Sequence, residues 1–227
     1  MRCEPLPVGA EMAAVRSQIE YASACLEAPA DEQISMLAQR AAEPEAILPE
    51  RDSHFVTWIQ GRTPDRISDE RVARLRANRD LTRRPGWALD LAVMVRDEQE
   101  PVGLQSLSGF DQWPRRRIVG TTSWLLASYQ GNGLGTRCRA AVLELAFTYL
   151  DAEAAKFVGS WVLEQNVASV AVSTRLGYRL IDHHDIIDDG RRYTELVYQL
   201  DRQAWLESGQ NSTMVSMVEC WQADSGP

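Results

Sequence analysis

The stretch Tyr129-Gln130-Gly131-Asn132-Gly133-Leu134-Gly135-Thr136-Arg137 constrains this chain more than any other. It separates a strand-like run, Ile118 to Leu126, from a long helical run ending near Leu150. Glycines at alternate positions let the backbone curl tightly and come close to a ligand. The helix that follows opens with N–H groups lacking internal acceptors and with a partial positive charge. A loop of this kind is an anion site, suited to phosphate. Arg137 and Arg139 stand in its first two turns, and no acidic residue appears until Glu144. Cations there oppose the macrodipole by about 0.3–1 kcal/mol each, and a bound polyphosphate would turn that into attraction. The plainer alternative is a glycine-rich turn carrying solvated arginines.

A dinucleotide fingerprint needs a further glycine where Thr136 stands, and no Gly-Lys-Ser/Thr triplet follows, which excludes a Walker loop. The pattern present is Gln-x-x-Gly-x-Gly at Gln130, Gly133 and Gly135. Downstream come Asn166-Val167-Ala168-Ser169, Ser173 and Leu176-Gly177-Tyr178, and ahead of the loop stands Gly120-Thr121-Thr122-Ser123-Trp124. In this order the segments resemble the GCN5-related N-acetyltransferase (GNAT) family, most of all its branch acting on ribosomal-protein N-termini. The resemblance spans about Val102 to Leu200.

It implies an α/β fold: a mixed, mostly antiparallel central sheet with helices on both faces and a V-shaped cleft between the fourth and fifth strands. It also implies acetyl-CoA, or another short acyl-CoA, as co-substrate, with no metal. The acceptor would be a primary amine: a protein N-terminus, a lysine or a small molecule. Cofactor contacts then fall on Ser123, Trp124 and Leu125, where unpaired strand amides can take up the pantetheine arm. They continue on Gln130, Gly131, Asn132, Gly133, Leu134, Gly135 and Thr136, and on Asn166, Ser169 and Arg175. Arg137 and Arg139 are further candidates for phosphate charge.

Only a neutral amine attacks a thioester, so the reaction needs a base, donors for the developing oxyanion and an acid for the leaving sulfur. The backbone N–H near Leu125 is the expected oxyanion donor. Ser173 stands where many members of the resembling family carry a tyrosine acid, and it is the candidate acid here. Related sequences often place a glutamate where this chain has Gly120, which leaves Asp111, His183, His184 and Asp185 as candidate bases. His184 is favoured by an imidazole pKa near 6.5, yet adjacent strand histidines face opposite ways, so at most one sees the cleft. Cys138 is a weaker candidate nucleophile because it falls on an apolar helix face.

A net charge of −8 over 227 residues argues against nucleic acid and favours a cationic substrate. Cys3, Cys25, Cys138 and Cys220 form no close pair and read as reduced thiols. No apolar run reaches membrane-span length and no signal peptide opens the chain, so the expectation is a cytoplasmic protein.

Along the chain, Arg2 to Val8 reads as an edge strand and Glu11 to Leu26 as a helix, from Met12, Val15, Ile19, Ala22 and Leu26. Asp31 caps a second helix reaching about Ala42, Pro44 to Pro64 is an ordered loop or lid, and Ser68-Asp69-Glu70 starts a third helix. That helix carries an arginine stripe from Arg71 to Arg84, read as a solvated face. Strands follow at Trp87 to Val95, Val102 to Ser108, Ile118 to Leu126 and Lys156 to Val162. The last strand pair, Tyr178 to Ile187 and Arg192 to Leu200, turns at Asp188-Asp189-Gly190. One acyltransferase domain is expected over residues 1–207, with a helical substrate side to about 85, a cofactor core over 86–200 and a flexible tail over 208–227. The rival readings are a CoA-binding sensor or scaffold that has lost its chemistry, and an RNA-associated protein using the arginine stripe. A homodimer is an assembly open to it.

Overall fold

Stretches of period two and period 3.6 alternate along the middle of the chain, and they assemble into one mixed sheet covered on both faces. The computed structural model describes residues 15–19, 24–43, 47, 63–78, 87–95, 98–109, 113–157, 166–188, 190–209 and 215–220. Its elements begin with β1 (Val15–Ile19), β2 (Ala24–Glu27), α1 (Asp31–Ala41), α2 (Pro64–Asn78), β3 (Ala88–Val95) and β4 (Gly103–Gly109). A helical turn at Trp113–Arg116 leads into β5 (Ile118–Leu125), and a 3-10 turn, Ala127–Tyr129, leads out of it. Then come α3 (Leu134–Glu144), β6 (Ala154–Phe157), α4 (Val167–Arg175), β7 (Arg179–Asp188), β8 (Arg191–Asp201), α5 (Arg202–Glu207) and β9 (Val215–Cys220).

The strands lie in the order β7-β8-β6-β5-β4-β3-β2-β1-β9. Among the described pairings β5–β6 alone is parallel, as a strand–helix–strand crossover through α3 requires. This is the mixed, mostly antiparallel sheet that the motif order implies. Two cores lie against its two faces. Leu91, Leu107, Val119 and Leu125 pack with Cys138, Val142 and Leu145 of the α3 segment and with Trp205 of α5. On the other face Ala92, Leu104 and Trp124 meet Ile34 and Leu37 of α1 and Val72 and Leu75 of α2. β3 and β4 are therefore buried on both sides, which explains their nearly unbroken burial.

Four expectations change. Residues 15–19 and 24–27 form the antiparallel strands β1 and β2, paired from Arg16↔Glu27 to Ile19↔Ala24, where a helix was expected over 11–26. Apolar residues three and four apart satisfy a helix, but Ala24 and Leu26 bury on one side of an extended strand while Cys25 and Glu27 stay half-exposed. α2 starts at Pro64, four residues ahead of Ser68, because proline suits a first helical position whose N–H has no acceptor. Residues 215–220, expected within a flexible tail, form β9 and pair with β1 at the sheet edge. Asp31 is the first residue of α1 and does not cap it; Gln33 Oε1 instead accepts from the Ala30 N–H at 2.7 Å. The edge strand expected at 2–8 and most of the loop expected at 44–64 lie outside the described residues.

The arginines of α2 fit a solvated face. Arg66 pairs with Glu70 at 3.0 Å and Arg76 with Asp31 at 3.8 Å, both exposed. Arg117 donates from Nε to the Asp151 carbonyl at 2.6 Å and from Nη2 to the Leu150 carbonyl at 2.8 Å. It thereby sets a cation at the C-terminal end of the α3 segment, where the macrodipole favours one.

The strand assignment of β2 is testable. Leu26 is fully buried, so Leu26→Ala should lose about 2–5 kcal/mol of stability in urea unfolding. Replacing half-exposed Glu27 by Ala should change it by less than about 0.5 kcal/mol.

Candidate active site

β5 has a different neighbour along each part of its length. It pairs with β4 throughout, from Gly103↔Leu125 to Gly109↔Val119. With β6 it pairs only over Ile118↔Ala154, Val119↔Ala155 and Gly120↔Lys156. Residues Thr121 to Leu125 run on with no strand beside that edge among the described residues, and residues 158–162 of the strand expected from Lys156 lie outside them; the V-shaped cleft is expected along this edge. Backbone groups alternate in direction along a strand. The Leu126 N–H donates to the Val102 carbonyl at 2.9 Å, and the Trp124 carbonyl points at Gly103 of β4. The N–H groups of Ser123 and Leu125 therefore face the open edge. Trp124 turns its amide to β4 and its ring into the α1–α2 core, so the contact expected from it does not reach the cleft.

The glycine loop continues straight from this edge. Gly131 and Gly133 take φ of +77° and +87°, conformations that L side chains resist. A Cβ at either would meet nothing within 4 Å, so the space above the loop is open and the demand for glycine is conformational. Gly133 is the N-cap of α3, and the first turn holds no acidic residue. Leu134 N–H is taken by Asn132 Oδ1 at 3.1 Å and Arg137 N–H by the Gly133 carbonyl at 3.2 Å. The amides of Gly133, Gly135 and Thr136 have no acceptor within the helix by its geometry. Gln130, expected to touch the cofactor, uses its Nε2 to bond the carbonyls of Leu125 at 2.8 Å and Ile47 at 2.7 Å. It fastens the loop to the end of β5.

Asn166 Oδ1 caps α4 by accepting from the Ser169 N–H at 3.3 Å. Gly177, at φ +86°, ends that helix, and Arg175 is exposed in its last turn. Ser173 is 0% exposed and its Oγ has no hydrogen-bond partner. Arg139 does not reach the phosphate loop: it is 1% exposed, with Nη1 donating to Thr121 Oγ1 at 3.3 Å and Nη2 to Ser123 Oγ. Thr121 also meets the Tyr178 hydroxyl at 3.3 Å, and its own proton goes to the Lys156 carbonyl. Burial lowers the Arg139 pKa, which neighbouring Tyr178 partly offsets. Burial raises the Tyr178 pKa, so the phenol stays protonated. Arg139, Thr121 and Tyr178 form a polar layer under the cleft that the motifs do not announce; an arginine on an otherwise apolar helix face was the available signal.

The candidate bases lie apart from β5. His184 is on the outermost strand β7, paired with the buried Glu195 of β8, two strands beyond the cleft edge. His183 and Asp185 are exposed on the same strand, and Asp111 lies outside the described residues. A second buried polar group was missed altogether. Asp90 of β3 accepts from Ser106 Oγ of β4 and from Asn78 Nδ2 of α2 at 2.7 Å. Its signal is an acidic residue inside the apolar run Leu89-Asp90-Leu91.

The acetyltransferase (GNAT) domain model matches residues 25–179. Among solved structures, the chain is similar to a GCN5-related N-acetyltransferase from Brucella melitensis, at 15% identity and TM-score 0.62, covering 92% of this chain and 88% of that one. It is also similar to Mycobacterium smegmatis RimJ in complex with CoA-disulfide, at 16% identity and TM-score 0.60, covering 88% and 96%. The ribosomal-protein-S5-alanine acetyltransferase from Vibrio fischeri matches at 15% identity and TM-score 0.60, covering 83% and 98%. At these identities the structures share the fold.

Two outcomes follow from the local geometry. Gly133→Ala should destabilise the protein by about 1–2 kcal/mol through its left-handed conformation. Gly135→Ala, whose Cβ would sit 3.5 Å from Leu125 Cδ1, should stay within about 0.5 kcal/mol in the same denaturant titration. Burial pushes the Cys138 thiol up to about 12, so iodoacetamide at pH 8 should label it only after unfolding. The linkage has one sign: the stabilisation from keeping this thiol neutral is complete below pH 9 and is lost as the pH rises toward 12.

Proposed function

Because this chain belongs to the acetyltransferase (GNAT) domain family, whose members transfer an acyl group from CoA to an amine, we propose that its donor is acetyl-CoA and its acceptor a peptide N-terminus. One observation carries the reading: beyond Gly120 no described strand lies beside β5, which runs, with the Ser123 and Leu125 amides on that edge, directly into a glycine loop at a helix start. The residues fit the ligand. The open space above Gly131 and Gly133 admits a pyrophosphate against the amides of Gly133, Gly135 and Thr136. The free edge of β5 accepts a chain of amides in place of a strand.

Bound acetyl-CoA supplies a thioester as acyl donor. Around it the Leu125 N–H is placed to stabilise negative charge on the carbonyl oxygen. Ser173 Oγ, buried and without a partner, is suited to give a proton to the leaving sulfur. Arg137 and Arg175 add positive charge near the two cofactor segments. The choice of a peptide N-terminus is supported by the likeness to ribosomal-protein acetyltransferases and by amine chemistry. A chain terminus titrates near 7.7–8.0 against about 10.4 for lysine, so it needs less help to become neutral. Half-exposed and buried free thiols at Cys25 and Cys138 suit a reducing compartment such as the cytoplasm. No helix among the described residues is long and apolar enough to cross a membrane.

The test is thiol release from acetyl-CoA over a panel of alanine-, serine- and methionine-initiated tetrapeptides, N-acetyl-lysine amide, spermidine and an aminoglycoside. Peptide termini should react fastest. Gly135→Val should keep native circular dichroism and lose measurable CoA affinity by calorimetry. Ser173→Ala should slow turnover about ten- to a hundred-fold at unchanged CoA affinity. CoA binding with no thiol release for any amine would make the protein a sensor, and lysine-only activity would overturn the choice of acceptor.

A further inference from the structure

Acyl transfer takes a proton from the acceptor nitrogen, and β5 offers no side chain for it at Gly120. We propose that Asp90 receives that proton through Ser106, from an amine arriving on the face of β5 where Thr122 is exposed. The inference rests on the acyltransferase reading above and concerns the acceptor side of the same site.

The geometry is a row across three strands. Asp90 lies opposite Ser106, and Ser106 lies opposite Thr122, so all three side chains share one face of the sheet. It is the face of the α1–α2 core, opposite to the α3 face from which the phosphate loop is built. A donor entering from the α3 side leaves this face to the acceptor. Asp90 and Ser106 are both 7% exposed, whereas Thr122, at the cleft, is open to solvent. The Gly109 N–H donates to the Trp87 carbonyl, so odd residues of β4 turn their amides to β3. Asp90 and Ser106 are thus a non-hydrogen-bonded pair, with Cα atoms about 4.5 Å apart and side chains close. Ser106 and Thr122 are the wider kind, about 5.5 Å apart. The row therefore leads from a buried carboxylate to the open edge in two steps.

The hydrogen bonds have the sense a relay needs. Ser106 Oγ donates to Asp90 Oδ1, which leaves the serine oxygen able to accept a proton from the cleft side. Asn78 Nδ2 holds Asp90 Oδ2 at 2.7 Å and fixes the carboxylate plane. A tether for α2 alone would need only the Asn78 contact, and a neutral amide at position 90 would serve it without the cost of burying a charge. The charged group sharing this face of the sheet is Glu27 of β2, which accepts from Gln33; of the helices packed on it, α2 carries Arg71, Arg74 and Arg76, the last paired with Asp31 of α1 on the exposed side. From β4 the facing groups are the hydroxyls of Ser106 and Ser108.

An acceptor arriving as the ammonium ion gives up one proton before the C–N bond forms and the C–S bond breaks. That proton passes by way of solvent at Thr122 to Ser106 Oγ, whose own proton moves to Asp90 Oδ1, and the second nitrogen proton is released to solvent as the amide forms. The departing sulfur is protonated separately, and Asp90 returns its proton to solvent by the same path before the next turnover. Asp90 and Ser106 are in this sense positioned to move a proton without touching the thioester.

The experiment compares Asp90→Asn, Ser106→Ala, Ser106→Thr and Asn78→Ala with the wild type, using acetyl-CoA and the fastest amine of the panel above. Asp90→Asn and Ser106→Ala should each lower kcat about a hundred-fold, with CoA affinity unchanged by calorimetry. Between pH 6 and 7.5 their rates should climb about tenfold per unit, as for an amine that must lose its proton unaided, while the wild-type profile is flatter. Ser106→Thr should restore most of the rate, and Asn78→Ala should lower the melting temperature yet keep the wild-type profile. A readout without turnover is ¹³C-carboxyl NMR, in which the Asp90 signal should shift when CoA and the amine are added together to the wild type and not when they are added to Ser106→Ala. If Asp90→Asn does not fold, Ser106→Ala carries the test alone. A folded Asp90→Asn or Ser106→Ala protein with the wild-type rate and profile overturns the relay and leaves the acyltransferase reading standing. A wild-type protein that releases no thiol with any amine overturns both.

Discussion

Among the described residues the β5–β6 ladder covers three residue pairs, and the proposed site is built on the part of β5 beyond them. A strand paired there would take up the amides of Ser123 and Leu125 and leave no edge for a ligand. Because β5 is held along its whole length by β4, it stays straight and reaches the glycine loop in register. The loop is then fixed from below by Gln130, whose side chain bonds the Leu125 carbonyl at the end of the same strand. One strand thus positions both ends of a long ligand: the amide-binding edge and the anion-binding turn.

The two faces of the sheet divide the work. On the α3 side, hydroxyls of Thr121 and Ser123 surround the buried Arg139 guanidinium, a costly arrangement that a leucine would avoid. On the α1–α2 side, Asp90 is embraced by Ser106 and Asn78. Both polar clusters sit in otherwise close-packed apolar layers, and both reach residues of β5 beyond its described pairing with β6. Polar groups concentrated beside a broken ladder are easier to explain by chemistry than by packing, since apolar substitutes would fill either space at lower cost.

Much of this was legible in the residues. The loop declared itself through glycines at alternate positions, two of which, Gly131 and Gly133, are required by positive φ. The runs forming β3, β4, β5, β7 and β8 alternate or are framed by turn residues, and α3 and α4 carry unambiguous helical periods. The β1–β2 pair was hidden because its apolar residues happen to recur at helical spacing, and pairing between strands leaves no mark on local periodicity. β9 was hidden for a related reason: its partner β1 lies some two hundred residues earlier in the chain. Arg139 was read as facing phosphate because charge on a helix usually seeks solvent; the threonine and serine of β5 opposite it, with Tyr178, make an inward course acceptable. Trp124 was placed at the ligand edge by its motif, whereas the alternation of the strand turns it away.

An open strand edge inside a sheet has a consequence for what else can bind there. Sheets ordinarily shield such edges, because any extended backbone of the right polarity can complete them. Under the proposed function the shield would be the ligand itself, and the edge would read the spacing of amide donors and acceptors, not the identity of what carries them. A short extended peptide offers the same spacing as a pantetheine arm. A strand-forming peptide would then compete for this edge, so the shape of a competitor for this protein is written in its secondary structure as much as in the chemistry of its cofactor.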